Sequence, residues 1–170
     1  MKLPKKGHKA LTHNQVQDLR KVVEALIGEL PHLPLLLELV LLGMSRRSIS
    51  TLTLDQIHSD EIHWQNRKNV KIVTKLTQGQ VALLEEYLFW RKSRRVKHNY
   101  LIIVRQTSYF KDGHYLPIKE ERVRSDIRVI GREIGLDYNL EIPEIHKAIS
   151  NYLLSSGIPI EVIKKRYKLY

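Results

Sequence analysis

Clusters of cations, a pair of histidines and two tryptophans are the residues here whose type and spacing could do chemistry. Lys2, Lys5, Lys6 and Lys9 stand near the amino terminus without an acid among them, and 91–97 (Arg-Lys-Ser-Arg-Arg-Val-Lys) is the densest basic run. A third cluster lies at 164–168. With 29 Lys and Arg against 18 Asp and Glu, the formal charge is +11 and the pI near 9.8. Such an excess expects a polyanion, either nucleic acid or an acidic membrane surface. The most apolar run, 33–44, contains Pro34 and Glu38 and is too short to span a bilayer. Double-stranded DNA is therefore the expected partner, without a membrane. His58 and His63 could ligate a metal, but they sit beside a strand with no further cluster to complete a site, so neither metal nor cofactor is expected. Trp64 and Trp90 could stack on bases, although core packing is the expected role of both. Cysteine is absent, which excludes disulfides and thiolate metal sites; nothing points to secretion, and a cytoplasmic setting is expected.

The elements that must position these residues are mostly helical. Residues 1–10 read as a flexible basic arm and 11–170 as one domain. Thr12 with Gln15 forms a capping-box pattern, followed by Val16, Leu19, Val23, Leu26 and Ile27 on one face. Pro34 suits the first turn of a helix over 35–42, stopped by Gly43. A short helix is predicted over 46–51. Ile62 and Trp64, a turn at 66–69, then Val70, Ile72 and Thr74 alternate as a hairpin. Thr77 with Gln80 caps a helix carrying Val81, Leu84, Tyr87 and Leu88 into the 91–97 cluster. An apolar strand over 100–104, a turn at 111–113 and a return strand over 114–118 follow. Helices over 120–134 and 144–155 end at Gly135 and Gly157, and Pro159 opens the last, with Ile160 and Ile163 facing inward. The fold class is α+β: mainly helical, with small antiparallel β hairpins.

Two segments resemble the catalytic domain of the tyrosine recombinases, the phage-integrase family. Leu41-Leu-Gly-Met-Ser-Arg-Arg-Ser-Ile-Ser-Thr-Leu-Thr-Leu-Asp-Gln-Ile57 is similar to the family's Gly-Leu-Arg-Ile-Ser-Glu-Leu…Leu-x-Trp-x-Asp-Ile pattern. Residues 143–166 are similar to the stretch from His-x-x-Arg through a Leu-Leu…Gly turn towards Leu-Gly-His. The 61–74 hairpin sits where the family carries its catalytic lysine. The resemblance implies DNA phosphoryl transfer by a tyrosine, with two arginines and a histidine stabilising charge on the phosphate and a lysine protonating the leaving oxygen. It has no counterpart here for the family's separate core-binding domain.

Carried across by position, the resemblance puts Ser45 at the first arginine and Ser48 at its acidic neighbour. Pro143 and His146 fall on the His-x-x-Arg pair, and Leu169 on the later histidine. The nucleophile's position lies past Tyr170, so Tyr167 and Tyr170 are expected to be packing or surface residues. Only the lysine survives, as Lys68 or, less directly, Arg67. These substitutions imply a chain that cannot cut: a non-catalytic DNA-binding relative that regulates or assists recombination or a mobile element. The alternatives are an interaction module that pairs with an active recombinase or with itself, and an enzyme whose site is displaced onto Arg46 and Lys68. The DNA contacts expected are Lys5, Lys6, Lys9, Arg46, Arg47, Arg67, Lys68, Arg91, Lys92, Arg94, Arg95 and Lys97. His146 is expected to be mostly neutral and to gain a charge at mildly acidic pH.

Overall fold

A helix that is apolar all round belongs at the centre of a domain, and Leu33–Leu41 (α2) meets that description. In the computed structural model, which describes residues 11–105 and 114–167, Leu33, Leu36, Leu37 and Leu39 are wholly buried. His13–Ala25 (α1) lays Val16, Leu19 and Val23 against α2, and its amino end carries the predicted Thr12–Gln15 capping box. Arg20 of α1 meets Glu38 of α2 at 2.8 Å, and Gln80 donates to the same carboxylate. α2 begins two residues earlier than expected, because Pro34 fits a first helical turn wherever its missing N–H would have no intrahelical acceptor.

Gly43, at φ 100°, turns the chain out of α2 in a conformation that favours glycine, and Arg46–Thr51 (α3) follows as predicted. A short 3-10 turn, Leu54–Gln56, leads into Ile57–His58 (β1). This strand pairs with Glu61–Gln65 (β2), which pairs in turn with Lys71–Lys75 (β3), all antiparallel. Two-residue periodicity drives Ile62, Trp64, Ile72 and Thr74 inward. Trp64 donates its indole N–H to Thr74 at 2.9 Å, so it is a core residue, as expected. Val70 instead lies outside the strand and is exposed.

Gln78–Ser93 (α4) packs on α2 and carries its predicted cap. The apolar run after it is only partly a strand. Leu101 and Ile102 are buried, but the ladder is confined to Ile103–Arg105 (β4) with Tyr115–Pro117 (β5). Leu101 spends its backbone N–H on Leu52, in an isolated antiparallel bridge between Thr53 and Tyr100. Glu120–Glu133 (α5) packs on α3 and α1. Ile142–Ser155 (α6) starts two residues before the expected position, since Glu141 and Glu144 form a reciprocal cap there. Ile160–Arg166 (α7) buries Ile163 but leaves Ile160 exposed, so the expected pairing of the two inward is half wrong. A helix this short presents one residue per turn to a single neighbour. The arm at 1–10 and the turn at 111–113 lie outside the described residues.

Candidate nucleic-acid interface

The turn after α2, the start of α3, the β2–β3 turn, the first turn of α6 and α7 converge on one open cleft. Its lining includes Ser45, Trp64, Arg67, Pro143, His146, Lys164 and Lys165. Ser45, Pro143 and His146, separated by about 100 residues of sequence, are thus brought together with Arg67 of the hairpin turn. Leu169 lies outside the described residues, as do Lys5, Lys6 and Lys9.

Each of the three has a structural task. Ser45 is the N-cap of α3 and accepts from the Ser48 amide at 3.2 Å. Ser48 in turn donates its hydroxyl proton to the Gln65 carbonyl at 2.8 Å, tying α3 to the hairpin. Pro143 occupies the first turn of α6, where no backbone bond is lost. His146 is buried and donates from Nε2 to the Val40 carbonyl at 2.8 Å, its ring edge-on to Tyr167. Tyr167 is also buried, and its hydroxyl donates to the Leu41 carbonyl at 2.5 Å, which makes it a packing residue.

Burial lowers the His146 pKa from 6.5 to about 4, and nearby Arg67 pushes the same way against the opposing Val40 hydrogen bond. The expectation that His146 gains a charge at mildly acidic pH is therefore corrected. The sign of the linkage is definite: above pH 6.5 both folded and unfolded histidine are neutral. Between 6.5 and 4 only the unfolded form takes the proton, so stability drops as the pH is lowered through that window. The loss approaches about 3 kcal/mol at the acid end. Thermal melts from pH 7.5 to 4.5 should show a steeper fall for the native chain than for His146→Gln, which keeps a donor for Val40 but cannot titrate. Equal slopes would assign the acid sensitivity to other groups.

Beside the cleft, Arg46, Arg47 and Arg67 line a polar groove with Gln65, Asn66 and Asn69. Arg47 and Arg67 are exposed, and Arg46 makes only a long pair with Glu121 at 3.8 Å. Lys68 is exposed at the turn, which Asn66 fixes by accepting from the Lys68 and Val70 amides. Arg46, Arg47 and Arg67 thus line a groove that joins the cleft through Arg67, and Lys68 follows Arg67 in the exposed turn. Lys164 and Lys165 join them. The sequence marked this pair only as part of a charge cluster, although its place one and two residues after inward-facing Ile163, off the buried face, was a usable signal.

The α4 end behaves differently. Arg91 is 7% exposed and donates to the carbonyls of His98, Tyr100 and Leu101 at 2.7–3.2 Å, so it is corrected from phosphate contact to internal staple. Lys92, Arg94, Arg95 and Lys97 are exposed. The Arg94 guanidinium lies 5.1 Å from the Trp90 ring centroid and 5.6 Å from that of Tyr115. Lys92 and Arg95 line a groove that shares no residue with the cleft. Three further arginines are committed to ion pairs: Arg122 with Asp126, and Arg124 and Arg128 with Glu141. Burial alone would raise the Glu141 pKa, but its two arginines hold it below the usual range. His58 and His63 lie 4.2 Å apart between ring centroids. Among the described residues no three His, Cys, Asp or Glu cluster as metal ligands, and no helix is long and apolar enough to cross a membrane.

This arrangement is the fold of tyrosine-recombinase catalytic domains. The crystal structure of XerA recombinase superposes with a TM-score of 0.72 at 16% identity, covering 95% of this chain and 56% of that one. XerH site-specific recombinase bound to its difH substrate gives 0.70 at 14%, covering 98% and 49%. The lambda integrase catalytic core gives 0.61 at 13%, covering 93% and 90%. The chain thus spans about half the length of the two Xer proteins and most of the isolated lambda core. No family profile and no curated protein matches the sequence.

Proposed function

We propose that the chain is a non-catalytic DNA-binding relative of the tyrosine recombinases, one that regulates or assists recombination or a mobile element. The observation that carries this reading is the cleft itself. The serine and histidine that the sequence resemblance aligns with the two arginines are here a helix cap and a buried neutral ring, while Arg67, Lys164 and Lys165 line the same cleft. Exposed cations of this kind attract a phosphate backbone at little cost, because they remain hydrated until it arrives. XerH is seen bound to difH DNA and lambda integrase as a dimer on a core site, which supports DNA as the ligand of this fold.

Gel shifts on duplex DNA should show affinity falling steeply with salt, with a log–log slope of about −0.9 per phosphate neutralised. Joint reversal of Arg67, Lys164 and Lys165 to glutamate should weaken binding at least about tenfold and flatten that slope. Binding undetectable at low salt would overturn the reading. One observation favours a second reading, pairing with an active recombinase: Ile72, Val73, Ile158 and Val162 line an apolar groove between β3 and the C-terminal helices, with Val73 and Val162 more than half exposed.

A further inference from the structure

The outer face of α4 carries Glu85, Phe89 and Lys92 at spacings of four and three, a single helical stripe. Phe89 is 79% exposed, the most exposed large apolar side chain among the described residues. It stands between an acidic half, Glu85 and Glu86, and a basic half, Lys92 and Arg95, all exposed. None of these four makes an ion pair among the described residues. Beside the stripe runs the groove lined by Leu54, Ile57, Leu88 and Val96, with Lys92 and Arg95 completing its lining. Arg91 fixes one side of this region by holding the carbonyls of residues 98, 100 and 101. The surface therefore carries a knob, a preformed hollow, and charges of opposite sign on either side of the knob.

We propose that this face binds a second copy of the chain, α4 antiparallel to α4, about a two-fold axis at the level of Phe89. Glu85 and Lys92 lie about 10 Å apart along the helix, at 1.5 Å per residue, with Phe89 near the middle. Antiparallel pairing then sets Glu85 against Lys92 of the second copy, a contact that occurs twice, with Glu86 and Arg95 as flanking charges. Each Phe89 packs on the Phe89 of the other copy at the axis. A stripe with opposite charges on either side of an apolar centre is self-complementary and closes into a dimer under two-fold symmetry. A phosphate backbone would have no use for an aliphatic hollow and would be repelled by the acidic half. The proposal is independent of whether the cleft cuts DNA, and it uses a surface separate from the apolar groove beside α7.

Sedimentation equilibrium of the full chain without DNA, near physiological salt, tests it. The wild type should dimerise reversibly. Phe89→Ser should be monomeric over the same range while melting normally, since Phe89 contributes little to the core. Two paired reversals, E85K with E86K and K92E with R95E, should each weaken the homodimer by about tenfold through repeated like-charge contacts. An equimolar mixture of the two should regain affinity within about threefold of the wild type, because one chain now presents only bases and the other only acids. A wild type that stays monomeric throughout, a Phe89→Ser chain that dimerises normally, or a mixture that fails to recover would each overturn the proposal.

Discussion

Offered a nicked suicide substrate, the chain is expected to bind the DNA and to form no covalent protein–DNA adduct at any pH where it stays folded. Preorganised cations do most of the work in stabilising a phosphoryl transition state, and removing one such group costs on the order of 10²–10³ in rate. If Ser45 and His146 stand for the family's two arginines, as the sequence resemblance implies, the loss amounts to about four to six orders of magnitude. Acid does not restore either charge, because Ser45 has none to gain and the His146 pKa is held near 4 by burial. Arg67, Lys164 and Lys165 are exposed and so lack the fixed geometry that makes a cation catalytic. Tyr167 is an equally poor nucleophile, with its hydroxyl donating to the Leu41 carbonyl inside the domain. Denaturing gels after long incubation provide the measurement. An adduct that disappears with Tyr167→Phe would show that the C-terminal helix leaves its seat and that the cleft has been remodelled.

Arg91→Met is expected to lower stability by about 3 kcal/mol, a loss of several to about twelve degrees in Tm for a domain of this size. Methionine keeps the aliphatic stem but leaves the carbonyls of His98, Tyr100 and Leu101 without their donor. Arg91→Lys should recover little, since one ammonium cannot span three carbonyls held in a planar fork. Arg95→Ala, four residues on and exposed, should leave the melt within about 0.5 kcal/mol of the wild type. Chemical denaturation of all three variants checks the ordering. If Arg91→Met melted like Arg95→Ala, the staple would contribute nothing.

Local chemistry was legible wherever a short stretch of chain determines its own structure. The caps at Thr12 and Thr77 and the stop at Gly43 depend on neighbours within four residues, and they stand where the spacing places them. The 62–74 hairpin likewise follows from a two-residue alternation. The motif resemblance carried further, to the arrangement of helices around the cleft, because order and spacing of elements constrain a fold even at 13–16% identity. Burial was not legible. Arg91 and Arg95 sit in one basic run, yet one is an internal staple and the other lies on the surface, since only the return of residues 98–101 covers the first. His146 shows the same limit: its sequence neighbours leave its charge open, while Val40, Tyr167 and Arg67 decide it from elements more than ten residues away. A sequence determines what a side chain can donate, accept or carry; the dielectric around it and the partners facing it exist only once distant segments have packed.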